Sequence, residues 1–133
     1  MSFKLIGGTQ TPRTVRVTIA SATVIPAGDF AGMTSGLAVD AVAATTAIAW
    51  CEAGSADGET VCELTVGNDF VLEGTADADF AVTDKQGEVD LTETQVIDLG
   101  ATSTSVLLVD ISENAGTVDS KEKVRVKINK PLF

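Results

Sequence analysis

Thr45-Thr46-Ala47-Ile48-Ala49-Trp50-Cys51-Glu52, then Ala53-Gly54-Ser55-Ala56-Asp57-Gly58, then Glu59-Thr60-Val61-Cys62-Glu63-Leu64-Thr65-Val66, decides the fold class. Ala47, Ala49 and Cys51 alternate with Ile48, Trp50 and Glu52. A period of two is the signature of a strand with two different faces. The middle segment carries two glycines and an Asp-Gly pair, which supply the positive φ angles of a turn. The stretch therefore predicts a strand, a turn and a second strand. Trp50 is the only tryptophan in the chain, so this hairpin is expected to hold a large share of the core.

Outward from that hairpin, the rest of the chain has the same texture. Valine, isoleucine and threonine make up 40 of the 133 residues, and β-branched side chains favour strands. Turn signals recur about every ten residues, the spacing of a β-sandwich or β-barrel. Thr14–Ile19 alternates, with Val15, Val17 and Ile19 on one side. Leu37–Val42 predicts a strand with Leu37, Val39 and Ala41 on one side, and Phe80–Thr83 a short strand. Ser105–Ile111 is apolar enough for a central strand. Lys123–Ile128 closes the domain, with its valines and isoleucine inward and Lys123, Arg125 and Lys127 outward. Its likeness to residues 14–19 allows both to lie in one sheet with a basic outer face, although lateral pairing would then set like charges near each other. The expected architecture is all-β, one compact barrel or sandwich over residues 13–133, preceded by an arm at 1–12. Gly7-Gly8 cuts that arm short after Phe3, Leu5 and Ile6.

Charge is segregated. Residues 1–28 hold three bases and no acid, residues 29–120 hold eighteen acids against Lys85, and residues 121–133 hold five bases against Glu122, leaving −10 overall. An acidic body repels nucleic acid, so nucleic-acid binding is not expected. The basic ends either dock on an acidic surface or merely balance a soluble body. No apolar run approaches the length of a membrane span, and the first residues lack the apolar core of a secretory signal, so synthesis in a cytoplasm is expected. Cys51 and Cys62 fall on opposite arms of the predicted hairpin. They are either a disulfide or two buried thiols in a reducing compartment.

Equipment for chemistry is sparse. The chain has no histidine, which removes Ser-His and Cys-His nucleophiles and the usual zinc sites. It contains no phosphate-binding glycine loop. The absence of tyrosine and the few aromatics leave little to stack on bases. Asp77-Ala78-Asp79, with Asp84 and Glu88, reads as a weak calcium candidate or as a solvated acidic loop. No cofactor, metal or small-molecule substrate is expected, and the chain does not read as an enzyme.

From Thr23 to Phe133 the sequence resembles a family of small tailed-bacteriophage virion proteins of the head decoration, or cement, type. The matching text is Thr23-Val24-Ile25-Pro26-Ala27-Gly28-Asp29-Phe30 leading to Ser35-Gly36-Leu37-Ala38-Val39, then Thr46-Ala47-Ile48-Ala49. It continues in Leu72-Glu73-Gly74-Thr75-Ala76-Asp77-Ala78-Asp79-Phe80-Ala81-Val82-Thr83-Asp84 and in Val124-Arg125-Val126-Lys127-Ile128-Asn129-Lys130. The resemblance implies a virion protein made in the host cytoplasm. It would sit as a homo-oligomer, a trimer by preference, on the outside of the shell and would contact the major capsid protein. It implies no catalytic residues. A tail or head–tail joining protein, or a secreted ligand-binding module, is the alternative. Both ends are apolar and flanked by bases, as an interface favours. The candidate contact residues are Phe3, Lys4, Arg13, Arg16, Lys123, Arg125, Lys127, Lys130, Leu132 and Phe133.

Overall fold

Strand-forming runs between frequent turns fold into antiparallel sheets. The computed structural model describes residues 3–8 and 12–133. Within them lie eleven strands: β1 Lys4–Gly8, β2 Thr14–Thr18, β3 Asp29–Thr34, β4 Leu37–Asp40, β5 Ala49–Cys51, β6 Val61–Thr65, β7 Phe70–Gly74, β8 Glu88–Leu91, β9 Ile97–Asp98, β10 Leu107–Val109 and β11 Val124–Ile128. A six-stranded sheet runs β1-β7-β11-β10-β8-β9, a three-stranded sheet β4-β3-β5, and a two-stranded sheet pairs β2 with β6. The fold is all-β and sandwich-like, with no closed barrel. The large sheet curls until Ala76, just beyond β7, bridges Ile97 of β9.

Alternation in the opening stretch is real, and both faces are buried. Ile48 and Trp50 enter the larger core with Phe3, Phe30, Phe70 and Leu72. Ala49 and Cys51 point the other way, into a second core with Ile19, Ile25, Ala31, Ala38, Cys62 and Leu64. Most of that second core is alanine and cysteine, because the small sheets approach too closely for larger side chains.

The expected hairpin does not close as a ladder. β5 pairs with β3, Phe30 opposite Trp50, while β6 pairs with β2, Val17 opposite Cys62. Between β5 and β6 a side chain replaces the ladder: the buried Thr65 Oγ1 accepts the Trp50 N–H (2.8 Å). The connection itself is captured elsewhere. Ser55 N–H donates to the Ile25 carbonyl (2.8 Å), and Ser55 Oγ accepts the Ile25 N–H (3.0 Å). Gly54 lies at φ +68 against the backbone of Ile25 and Ala27, where a Cβ would clash.

Four other readings are decided or corrected by the structure. β4 presents Ala38 to the second core, opposite Met33, with Leu37 and Val39 on the outer side, and Ala41, beyond the strand, is buried. Phe80–Thr83 is not a strand. Phe80 exchanges backbone bonds with Ser120 and Asp119, and Val82–Asp84 forms a 3-10 turn in which the Asp84 carboxylate accepts the Ala81 N–H (2.8 Å). β2 and β11 lie in different sheets. Each basic strand is answered by an acid on its own neighbour, Arg16 opposite Glu63 and Arg125 opposite Glu73. β11 nevertheless buries Val124, Val126 and Ile128 as read, between β7 and β10, and β10 has strands on both sides.

The fourth concerns the arm at 1–12. Residues 4–8 are the edge strand of the large sheet, Lys4 opposite Glu73 and Gly8 opposite Phe70. Phe3 is 1% exposed, its ring 4.4 Å from that of Phe30 and against Gly74. An apolar residue next to a sheet edge buries more area by docking than by waiting for a partner. Residues 1–2 and 9–11 of the expected arm lie outside the described residues.

Gln95 joins the sheets. Its buried Oε1 accepts the Phe30 N–H (2.9 Å), and its Nε2 donates to the carbonyls of Ala41 (2.7 Å) and Phe30 (3.2 Å). A loop side chain thus satisfies backbone groups of β3 where no strand does.

Trp50 is 3% exposed and donates its indole N–H to the Gly28 carbonyl (3.1 Å). Trp50→Ala is expected to lower stability by about 3–5 kcal/mol in denaturant titration; a loss below about 1 kcal/mol would contradict its burial. Gly74→Ala places a Cβ inside the Phe3 ring. The expected cost is about 1–3 kcal/mol, with faster amide exchange confined to Lys4–Gly8 as its signature.

Candidate interaction surface

The ten candidate residues do not form one patch. Lys4 and Arg125 meet on the outer face of the large sheet. Both converge on Glu73, Lys4 Nζ at 4.0 Å from Oε1 and Arg125 Nε at 3.7 Å from Oε2. The Glu73 side chain is only 13% exposed, so one sheltered carboxylate serves two cations. That spends positive charge within the molecule instead of offering it to a partner. Lys127, on the same strand, stands opposite Leu108, which in turn faces Glu88.

Arg13 and Arg16 are exposed on the separate two-stranded sheet. Glu63, opposite Arg16, also accepts the Thr14 hydroxyl (3.0 Å). Lys123 is exposed in the loop before β11, at φ +57. Lys130 Nζ donates to the Thr104 carbonyl (2.8 Å). Phe3 is in the core and unavailable to a partner.

The carboxyl-terminal residues make the surface of most interest. Leu132 N–H donates to the Ile48 carbonyl, and the Phe133 carbonyl accepts the Gly67 N–H, both at 2.9 Å. Pro131 bridges Ile48. The tail is therefore strapped to the body. Leu132 packs against the second core and lines a groove of about 320 Å³ whose walls mix apolar side chains (Met33, Val39, Val42) with Thr34, Thr45 and Thr46. Val42 and Phe133 are 40% and 41% exposed. Sequence reading found Leu132 and Phe133 but missed the opposite wall. The available signal was a surplus of apolar residues between Leu37 and Ala49.

Acidic side chains are arranged in pairs. Asp29 is buried and Asp40 hydrogen-bonds to it. Burial, then the Asp29 carboxyl, pushes the Asp40 pKa from 3.8 up to about 7. The Asp40 Oδ1 is buried without a partner. Asp98 is likewise raised, by burial first and then by Asp77. Asp90 behaves oppositely. Burial pushes it up, but the backbone N–H groups of Ser105 (2.8 Å), Thr104 (2.9 Å) and Ser103 (3.0 Å) outweigh that and hold it below the usual range. Asp77 Oδ1 accepts the Leu99 N–H (3.1 Å). Among the described residues no group of three His, Cys, Asp or Glu side chains is placed to hold a metal.

The Asp29–Asp40 pair makes stability depend on pH. Folded Asp40 keeps a proton that the unfolded chain has lost between pH 4 and 7. The folded state is therefore favoured at the acid end of that window and loses stability as pH rises through it. Asp40→Asn is expected to flatten that slope and to stabilise the fold at pH 8 by about 1–2 kcal/mol, a figure reduced for the partial exposure of the group. Urea titrations at pH 5 and pH 8 measure both.

No protein-family model matches the chain, and no curated protein or solved structure is significantly similar to it.

Proposed function

We propose that this chain is a phage virion structural protein that decorates and stabilises the outer surface of the capsid as a cement protein. The observation that carries the reading is the groove walled by Leu132, Met33, Val39 and Val42, together with the exposed side chains of Val42 and Phe133. An exposed apolar surface of this kind favours burial against another protein. Phage-like phrases between Thr23 and Phe133 support a capsid as that partner. A rigid β body suits a protein that is required only to bind.

The contact surface differs from two free, basic arms. Lys4 and Arg125 are engaged by Glu73, and Phe3 is internal. Leu132 and Phe133, with Val42 on the groove wall, supply the apolar contact. The mechanism is mass action. A protein that binds only the assembled, expanded shell adds its binding free energy to that state. Many identical contacts, and trimeric presentation of the groove, add avidity.

Decoration-free expanded capsids, mixed with the purified chain, test this. The expected result is saturable binding at symmetry-related sites and a higher temperature of shell disruption. Val42→Asp with Phe133→Ser, both at exposed positions, should cut occupancy at least tenfold while leaving the thermal melt of the free protein within a few degrees. Absence of binding by the wild-type chain would overturn the reading. Full occupancy by the double variant would move the contact away from the groove. Deleting residues 1–12 is not a clean test, because it removes Phe3 and β1 from the fold.

A further inference from the structure

β5 and β6 lie side by side, yet each takes its ladder bonds from a different strand, β3 and β2 respectively. Across that seam two side-chain contacts are in place. One is the Thr65 Oγ1 bond to the Trp50 N–H. The other brings Cys51 and Cys62 together, both buried in the second core and close enough to perturb each other's thiol. Two cysteines buried in one small core on neighbouring strands are candidates for a disulfide.

We propose that Cys51 and Cys62 are an oxidisable pair, which a low-molecular-weight disulfide such as oxidised glutathione converts to one intramolecular disulfide tying β5 to β6. The inference is independent of the capsid reading. One cysteine, as thiolate, attacks the small disulfide, forms a mixed disulfide and expels one small thiolate. The second then attacks the protein sulfur of that mixed disulfide and expels the other. Two protein thiols are oxidised, one small disulfide is reduced to two thiols, and the protein's two protons pass to the departing thiolates.

Either thiol can be the first nucleophile, since each has an acid nearby that disfavours its thiolate, Asp29 at Cys51 and Glu59 at Cys62. Burial, more than any neighbour, pushes the Cys51 thiol up to about 12, and burial also raises Cys62. The closed protein therefore holds very little thiolate and reacts slowly. Reaction passes through opening of the seam, which breaks no strand ladder and so belongs among the cheaper openings of the fold. Once closed over the new bond, the same burial shields it from reductants. The pair behaves as a slow latch: reduced where the chain is made, and persistent once oxidised.

The test is incubation of the folded wild-type chain with oxidised glutathione, followed by thiol titration and intact mass under denaturing conditions. The expected product has no free thiol, has lost two hydrogen atoms and carries no glutathione. Its melting temperature is higher by roughly 5–10 °C. A parallel sample is cycled through urea and back in the same buffer, which gives the reagent access whatever the rate of opening. Crosslinking in either sample supports the proposal, and crosslinking only after urea identifies opening as the slow step. Cys51→Ala and Cys62→Ala should each leave one thiol that takes up glutathione in urea and forms no intramolecular bond. Two free thiols in wild type after the urea cycle, a stable glutathione adduct, or a crosslink only between chains would each overturn it.

Discussion

Between β3 and β5 the rung Phe30–Trp50 sends two large rings into one core, while the rungs beside it, Asp29–Cys51 and Ala31–Ala49, send small and polar groups into another. A strand buried on both faces has no position at which size is free to vary. The ring side must fill a wide space under the six-stranded sheet, and the opposite side must let the two-stranded sheet approach. Much else follows from that division of volume. Leu37 and Val39 are turned out of a space suited to alanine, and the groove at the carboxyl terminus exists because Val39 and Val42 were left outside. Gln95 and Thr65 supply hydrogen bonds at the places where sheets meet without sharing a ladder.

The period-two pattern was sufficient to read the class of the fold and many of its strands. Thr14–Ile19 and the closing Val124–Ile128 could be recognised from local alternation alone. Pairing was harder, because it depends on partners far away in the sequence. Nothing in Thr45–Val66 states that Ser55 will be taken by Ile25, or that Trp50 will prefer Phe30 across a ladder. Local alternation separated the two faces of β4 without saying which is buried, and here the face with the smaller residue, Ala38, is the one inside.

The candidate surface was legible at one end of the chain and misread at the other. Leu132 and Phe133 are apolar, terminal and partly exposed, as their composition suggests. Phe3 has the same composition and is buried, because a sheet edge and the Phe30 ring were available to it. The basic residues looked collectively available only because Glu73 and Glu63 are distant in sequence. Cross-strand register brings each acid opposite a base. Net charge by segment is therefore a poor guide to local charge once the strands are interleaved.

The interleaving has a consequence for biosynthesis. β1, the first strand translated, rests on the outer edge of β7, and the inner edge of β7 is covered by β11, the last strand in the chain. A polypeptide still leaving the ribosome can close the pair β2–β6, but it cannot complete the large sheet. Until Val124–Ile128 has emerged, β7 and β10 each expose an edge able to recruit a neighbouring chain. The large sheet is thus slow to form by topology, because it must pair strands from distant parts of the chain.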